Sequence, residues 1–110
     1  MSDLNRFQSL KSLAHADRLR SIADGGEPYP IEWVVYPSNK CNHACVFCLY
    51  RHKAPDGSIE QFDYSVILPR ATLLRFVEDA ARLGGTVIQF EGGGEPLINK
   101  HTPEALRLAN

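Results

Sequence analysis

The first quarter of the chain has the residue pattern of a helix. Residues 2–24 contain no Gly or Pro, are rich in Leu, Ala and charged residues, and are followed by Gly25-Gly26. At 100° per residue the apolar positions form two successive faces, one made by Leu4, Phe7, Leu10 and Ala14 and the other by Ala16, Leu19, Ile22 and Ala23. This change of face predicts two short helices, or one helix that wraps around a neighbour.

The middle of the chain predicts a strand, a helix and a second strand. Ile31–Tyr36 lies between two prolines and is largely apolar on both alternating sets of positions, which predicts a buried parallel strand. In Pro69–Leu83 the apolar residues share one helical face, and Gly84 follows as a residue that can adopt positive φ. Thr86–Phe90 returns to strand composition. The order predicts a βαβ unit.

The remaining segments are shorter and less regular. Residues 51–67 are mixed and polar, and a short extended piece is expected at Tyr64–Leu68. Thr102-Pro103-Glu104 has the pattern of an N-cap, an N1 proline and an acidic first turn, which predicts a helix to Asn110. Two parallel strands and one crossover helix cannot cover both faces of a sheet. We therefore expect an α/β fold that is the N-terminal part of a larger domain, or a small protein completed by a partner.

Composition and charge narrow the classes of function. The chain has 110 residues, 44% of them hydrophobic, and its net charge is -1, which suits one soluble globular domain and gives no electrostatic indication of nucleic-acid binding. The longest apolar run, Ala44–Tyr50, is far shorter than the roughly 20 residues of a transmembrane helix. The N-terminus has no apolar secretory segment, so the expected location is the cytoplasm.

All three cysteines lie within eight residues, after the first predicted strand. Cys41, Cys45 and Cys48 have C-x3-C-x2-C spacing, which suits three corners of a cubane iron-sulfur cluster and leaves the fourth iron without a protein ligand. The alternative is tetrahedral zinc with His43 or His52 as the fourth ligand, although structural zinc sites usually use separated C-x2-C pairs. A role without metal also stays open.

A glycine-rich segment, Glu91–Pro96, follows the second predicted strand. Glycines allow a ligand to approach the backbone closely, and an adjacent carboxylate can accept hydrogen bonds from an ammonium group. The segment lacks the pattern of a phosphate-binding loop, and an ordinary turn is the alternative. Both this segment and the cysteines follow the carboxyl ends of predicted parallel strands, where ligands of α/β folds bind.

Together these motifs resemble the radical S-adenosylmethionine (SAM) superfamily, over about residues 31–98. The motifs that carry the resemblance are Cys41, Cys45 and Cys48, with Phe47 just before the third cysteine, and the segment Gly93-Gly94-Glu95-Pro96. The resemblance implies a partial (β/α)6 barrel of the TIM type. Residues 28–110 would be its first two βα units, an incomplete radical SAM domain, and residues 1–27 an N-terminal helical appendage.

The resemblance also implies cofactors and a reaction. The three cysteines would ligate a [4Fe-4S] cluster, and its open iron would bind the amino and carboxylate groups of SAM. Gly93, Gly94 and Glu95 would contact the methionine ammonium, and Phe47 would lie against the adenine. An external one-electron reductant of the flavodoxin or ferredoxin type would start the cleavage of SAM to a 5′-deoxyadenosyl radical, which abstracts hydrogen from an unknown substrate. The alternative is a non-catalytic, zinc-stabilised Cys3His module that docks a partner through an exposed sheet face.

Overall fold

Two short parallel strands form the centre of the fold. The computed structural model describes residues 11–51 and 62–110, in which β1 (Glu32–Val35) pairs with β2 (Val87–Phe90) and Val35 lies opposite Phe90. The helices are α1 (Ala16–Ala23), α2 (Arg70–Arg82) and α3 (Thr102–Leu108), with 3-10 turns at Lys11–His15, Leu49–Arg51 and Pro96–Ile98. This is a mixed α/β arrangement, as the sequence predicts. No helix in the described ranges is both long and apolar enough to cross a bilayer.

The N-terminal segment is helical in two pieces, over the part that is described. A 3-10 turn at Lys11–His15 leads into α1, which ends before Gly25, a glycine with φ of 83°. The prediction of a helical segment that stops at Gly25 is therefore confirmed for residues 11–25, and the choice between two short helices and one wrapping helix depends on residues outside the described ranges. The first predicted face, apart from Ala14, lies outside the described residues.

The predicted βαβ unit is present and its bounds are close to the prediction. Pro69 precedes α2 in an extended conformation, and Gly84 ends it with φ of 81°, a conformation that few residues other than glycine adopt. One face of α2 packs on the sheet, where the ring of Trp33 meets that of Phe76 edge-to-face at 5.9 Å. The buried core lies between α2, α3 and the face of the sheet that these helices cover. It contains Val35, Leu73, Val77 and Ala105.

β1 is less buried than predicted. Trp33 and Val35 point toward the helices, but Val34 on the other face is 47% exposed, and Tyr36 and Val87 are exposed as well. The prediction of a strand buried on both faces is wrong because α2 and α3 pack against one face only. Among residues 11–51 and 62–110, neither α2 nor α3 packs on the second face, which we call the open face.

The buried side chain of Asn99 joins three chain segments: the end of β1, the segment before α2 and the start of α3. The Nδ2 of Asn99 donates hydrogen bonds of 2.9 Å to the carbonyl oxygens of Pro37 and Leu68, and its Oδ1 accepts one from the backbone N–H of His101. Leu68 also donates its backbone N–H to Pro37 O, beside an antiparallel bridge between Ser38 and Ile67. Of the extended piece expected at Tyr64–Leu68, residues 66–68 pair with the exit of β1, whereas Tyr64 and Ser65 form a turn. Asn99 joins the paired segments to the start of α3.

Thr102 is not the N-cap of α3. His101 holds the N-cap position and gives no side-chain cap, while Thr102 is the first helical residue and is buried. The hydroxyl of Thr102 donates a 2.7 Å hydrogen bond to the carbonyl oxygen of Pro96. The prediction is wrong because this tertiary hydrogen bond uses the side chain that a local cap would need.

Candidate functional site

The cysteine loop and the glycine segment lie side by side at the carboxyl ends of β1 and β2. The backbone N–H of Glu95 donates a 2.8 Å hydrogen bond to the carbonyl oxygen of Lys40, the residue before Cys41. Parallel pairing of the strands brings both loops to one edge of the sheet. The predicted proximity of the two motifs is confirmed.

Glycine is required in this segment because the backbones approach each other closely. A Cβ on Gly94 would overlap with the carbonyl oxygen of Lys40, and one on Gly92 would lie 2.9 Å from the carbonyl oxygen of Ser38. A Cβ on Gly93 would overlap with the ring of Phe62. The glycines therefore serve the packing of the two loops, in addition to any contact with a ligand.

Glu95 faces the cysteine loop. One carboxylate oxygen accepts a hydrogen bond of 3.1 Å from the backbone N–H of Leu97, and the other lies 3.5 Å from Nε2 of His43. These side chains border an open cavity of about 320 Å³ lined by Asn42, His43, Glu95, Leu97 and Ile98. A half-buried carboxylate at the wall of a cavity between two loops is placed to bind a cationic group.

The three cysteines are free thiols on an irregular loop. Cys41 and Cys48 are half-buried and Cys45 is exposed, and a backbone hydrogen bond of 3.2 Å from Cys48 N–H to Cys45 O closes a turn. Phe47 sits in this turn with 77% of its surface exposed. An aromatic ring exposed to that extent is free to stack on a planar ligand.

The three cysteine thiols are chemically suited to bind an iron-sulfur cluster. Three thiols on one loop offer the soft sulfur ligands that such clusters take. In the part of the chain that the structure describes, no three Cys, His, Asp or Glu side chains are gathered around a common point suited to a metal ion. Cluster binding therefore requires the cysteine side chains to turn toward one another. His43, a candidate zinc ligand, lies near Glu95, and His52 is outside the described residues.

A group of aromatic residues beside the cysteine loop was not expected from the sequence. The ring of Phe62 lies 4.6 Å from that of Tyr50 and 4.8 Å from that of Tyr64, and the Tyr64 hydroxyl donates to the Tyr50 carbonyl oxygen. Hydrogen bonding to the side chain of Tyr36 raises the pKa of Tyr50, and burial and the nearby Glu91 raise it further.

Tyr36 therefore has a different environment from the one the sequence suggests. Strand aromatics are usually core residues, so we expect both Trp33 and Tyr36 to pack inside. Trp33 does pack against α2, whereas Tyr36 is 45% exposed on the open face. The period-2 alternation of β1, which puts Trp33 and Val35 on one face and Val34 and Tyr36 on the other, is the signal that separates them.

Comparison with known families agrees with the motif geometry. The family model described as the radical SAM superfamily matches residues 35–110, more than half of the chain. The matched region includes all three cysteines and the whole glycine segment. No curated protein and no solved structure matches the chain.

Proposed function

Because the chain belongs to the radical SAM superfamily, we propose that it binds a [4Fe-4S] cluster and SAM and cleaves SAM reductively. When bound, the cluster would supply the electron for reductive cleavage of the C5′–S bond of SAM, and the resulting 5′-deoxyadenosyl radical would take a hydrogen atom from the substrate. The protein binds these groups, orients them and excludes water.

In this proposal Cys41, Cys45 and Cys48 hold the cluster. Their support is the donor set itself: three unpaired thiols on one loop, none in a disulfide. Three thiolates would leave one iron of the cluster without a protein ligand, so that the amino and carboxylate groups of SAM could bind there.

Glu95, Gly93, Gly94 and Phe47 are proposed to bind SAM. The Glu95 carboxylate borders the cavity between the loops and would accept hydrogen bonds from the methionine ammonium. The backbone of Gly94 lies against that of Lys40, at the start of the cysteine loop, because Gly94 has no Cβ, and Gly93 lies against the ring of Phe62 for the same reason. The exposed ring of Phe47 would lie against the adenine.

We also propose that residues 28–110 are the first two βα units of a partial (β/α)6 barrel, with residues 1–27 as a helical appendage. The support is a parallel sheet covered by helices on one face only, since the other face of a barrel strand points to the interior. An external flavodoxin- or ferredoxin-type reductant and a cytoplasmic location, where thiols stay reduced, complete the proposal.

The observation that carries the proposal is the hydrogen bond from Glu95 N–H to Lys40 O, since it joins the loop with the thiols to the loop with the carboxylate. The test is anaerobic reconstitution with iron and sulfide, followed by addition of SAM and dithionite. We expect a brown protein that releases 5′-deoxyadenosine, a loss of the colour in Cys45→Ala, and normal cluster content in the neighbouring control Ala44→Ser. A colourless protein that keeps one equivalent of zinc would contradict the proposal and favour the Cys3His module.

A further inference from the structure

His43 contacts both the first cysteine and the carboxylate of the glycine segment. Its backbone N–H donates a 3.4 Å hydrogen bond to Sγ of Cys41, and its ring nitrogen Nε2 lies 3.5 Å from Oε2 of Glu95. The contact with Cys41 is made by the backbone, whereas the contact with Glu95 is made by the side chain. Replacing the side chain of His43 therefore removes the contact with Glu95 and keeps the hydrogen bond to Cys41.

The carboxylate of Glu95 is engaged through both of its oxygens. Oε1 accepts a 3.1 Å hydrogen bond from the backbone N–H of Leu97, in the 3-10 turn that follows, and Oε2 faces the ring of His43. The backbone of Glu95 is fixed separately, by its hydrogen bond to the carbonyl oxygen of Lys40. Of these three contacts, only the one with His43 involves a second side chain.

The contact with His43 leaves acceptor capacity on the carboxylate of Glu95. A carboxylate has about four lone-pair positions, and the contacts with Leu97 and His43 use two of its acceptor directions. Glu95 is half-buried and His43 is exposed, and both border the cavity of about 320 Å³ between the two loops. A ligand in this cavity can therefore reach the carboxylate while the ring stays in place.

We propose that His43 is a positioning residue, whose ring holds the Glu95 carboxylate in the orientation that accepts the methionine ammonium of SAM. The inference rests on the proposed function, in which Glu95 accepts hydrogen bonds from that ammonium. A carboxylate that is already oriented loses less conformational freedom when the ligand binds, and the affinity rises accordingly. His43 acts through Glu95 and not through contact with SAM.

The first test uses the metal-free protein and methionine amide, which carries the ammonium group but no carboxylate. N-acetylmethionine amide lacks the ammonium and is the control ligand. Because the Leu97 N–H donates to the Glu95 carboxylate, the NMR signal of this amide should shift as methionine amide binds and stay constant with the acetylated ligand. We expect His43→Ala to weaken binding of methionine amide about fivefold, the effect of losing one ordinary hydrogen bond.

The matched variants are His43→Gln and His15→Ala. Glutamine keeps an uncharged N–H donor at a similar reach, so His43→Gln should bind methionine amide nearly as well as the wild type. His15 is an exposed histidine next to α1, and its replacement should change the affinity less than about twofold. Binding by His43→Gln that is as weak as that by His43→Ala would overturn the role of the hydrogen bond.

A double-mutant cycle in the reconstituted protein separates positioning from direct contact with SAM. His43→Ala should weaken SAM binding about fivefold when Glu95 is present and less than about twofold in Glu95→Ala, where the ring has no carboxylate to orient. Iron and sulfide content should stay at the wild-type level, since His43→Ala keeps the backbone hydrogen bond to Cys41. Equilibrium dialysis with labelled SAM measures the affinities of the four proteins.

Two results of the cycle would overturn the inference. An equal loss of affinity in both backgrounds would mean that His43 contacts SAM or shapes the loop independently of Glu95. Tighter binding of SAM by His43→Ala would mean that the ring competes with the ammonium for the carboxylate.

Failure of this inference is distinct from failure of the proposed function. The titration with methionine amide needs no cluster, so it decides on the role of His43 when the protein takes up no cluster or binds no SAM. No binding of methionine amide by the wild type would overturn the inference. Conversely, a protein that binds and cleaves SAM equally well with and without the His43 ring keeps its function and loses the positioning residue.

Discussion

Glu95 and Lys40 are joined through their backbones, by a 2.8 Å hydrogen bond from the Glu95 N–H to the Lys40 carbonyl oxygen. The contact is independent of either side chain, so it fixes the distance between the glycine segment and the start of the cysteine loop. It requires a glycine at position 94, since a Cβ there would meet the same carbonyl oxygen. The geometry of the site therefore depends on backbone packing before any ligand is bound.

The first prediction concerns the two glycines that allow this approach. Gly94→Ala and Gly93→Ala should each lower the free energy of unfolding by about 1–3 kcal/mol, the usual cost of overpacking. Urea denaturation measures both. The obstacle at Gly93 is the ring of Phe62, whereas the obstacle at Gly94 is backbone.

A double-mutant cycle separates the two cases. Phe62→Ala should remove much of the cost of Gly93→Ala, because the substituted methyl group then has space, and should leave the cost of Gly94→Ala unchanged. If Phe62→Ala reduces the cost of neither glycine substitution, or reduces the cost of both, the close contacts at Gly93 and Gly94 do not explain why these positions are glycine.

The second prediction concerns the carboxylate of Glu95. Glu95→Gln should weaken binding of SAM by roughly tenfold to a hundredfold, since a hydrogen bond to a charged group contributes about 1.5–3 kcal/mol. Iron and sulfide content should stay at the wild-type level, because no cysteine is altered. Equilibrium dialysis of the reconstituted protein with labelled SAM gives the affinity. Glu78→Gln, an exposed position on α2, is the control. Unchanged affinity in Glu95→Gln would mean that the ammonium binds elsewhere.

The sequence alone predicts the strands and the helix of the βαβ unit, and the proximity of the cysteine loop and the glycine segment. The apolar face of α2 and the glycine after it are local signals, and they predicted its bounds to within one residue. The proximity of the motifs followed from parallel pairing, which brings the ends of β1 and β2 together. Period-2 alternation could also have placed Tyr36 on the open face, but the largely apolar composition of β1 masked it.

Tertiary hydrogen bonds were beyond sequence reasoning. Nothing in the residues around Asn99 indicates that its amide would reach Pro37, 62 positions earlier, or that Thr102 would bind Pro96 instead of capping its own helix. Such contacts depend on how separate loops pack, and side-chain type alone does not reveal the partner. The same holds for Phe62 above Gly93.

The third prediction concerns Asn99. Asn99→Leu should lower the free energy of unfolding by about 2–5 kcal/mol, because it removes the side-chain donor to Leu68 O and the acceptor of the His101 N–H, and leaves Pro37 O with the Leu68 N–H alone. Asn39→Ala is the control, since its single side-chain hydrogen bond, to Asp63 O, is exposed and its loss should cost about 1 kcal/mol or less. Thermal and urea denaturation measure both. Equal stability of the two variants would contradict the role assigned to Asn99.

The fourth prediction concerns the attachment of α1. Arg18 donates hydrogen bonds to the carbonyl oxygens of Tyr29 and of Gly84, at the end of α2, and α1 has no buried residue of its own. Arg18→Ala should therefore speed hydrogen exchange of the α1 amides several-fold while the amides of α2 keep their protection. Arg20→Ala, on the same helix, should leave exchange unchanged. A loss of protection in α2 as well would mean that α1 and the βαβ unit unfold together.

The fifth prediction is a dependence of stability on acid. Hydrogen bonds from the Arg70 guanidinium, which links the start of α2 to α3, lower the pKa of Glu104. Because the folded state favours the ionised carboxylate, this contribution is complete above the ordinary glutamate pKa of about 4.3 and is lost as the pH falls through the lowered value. Between pH 5 and 3 the free energy of unfolding of Glu104→Gln should therefore fall less than that of the wild type. Part of the pH dependence should remain in the variant, because Arg82 lowers the pKa of Asp79. Urea denaturation at several pH values measures the slope of the free energy of unfolding against pH, and Glu78→Gln is the control. Identical slopes for Glu104→Gln and the wild type would exclude the Arg70–Glu104 pair as a source of the pH dependence.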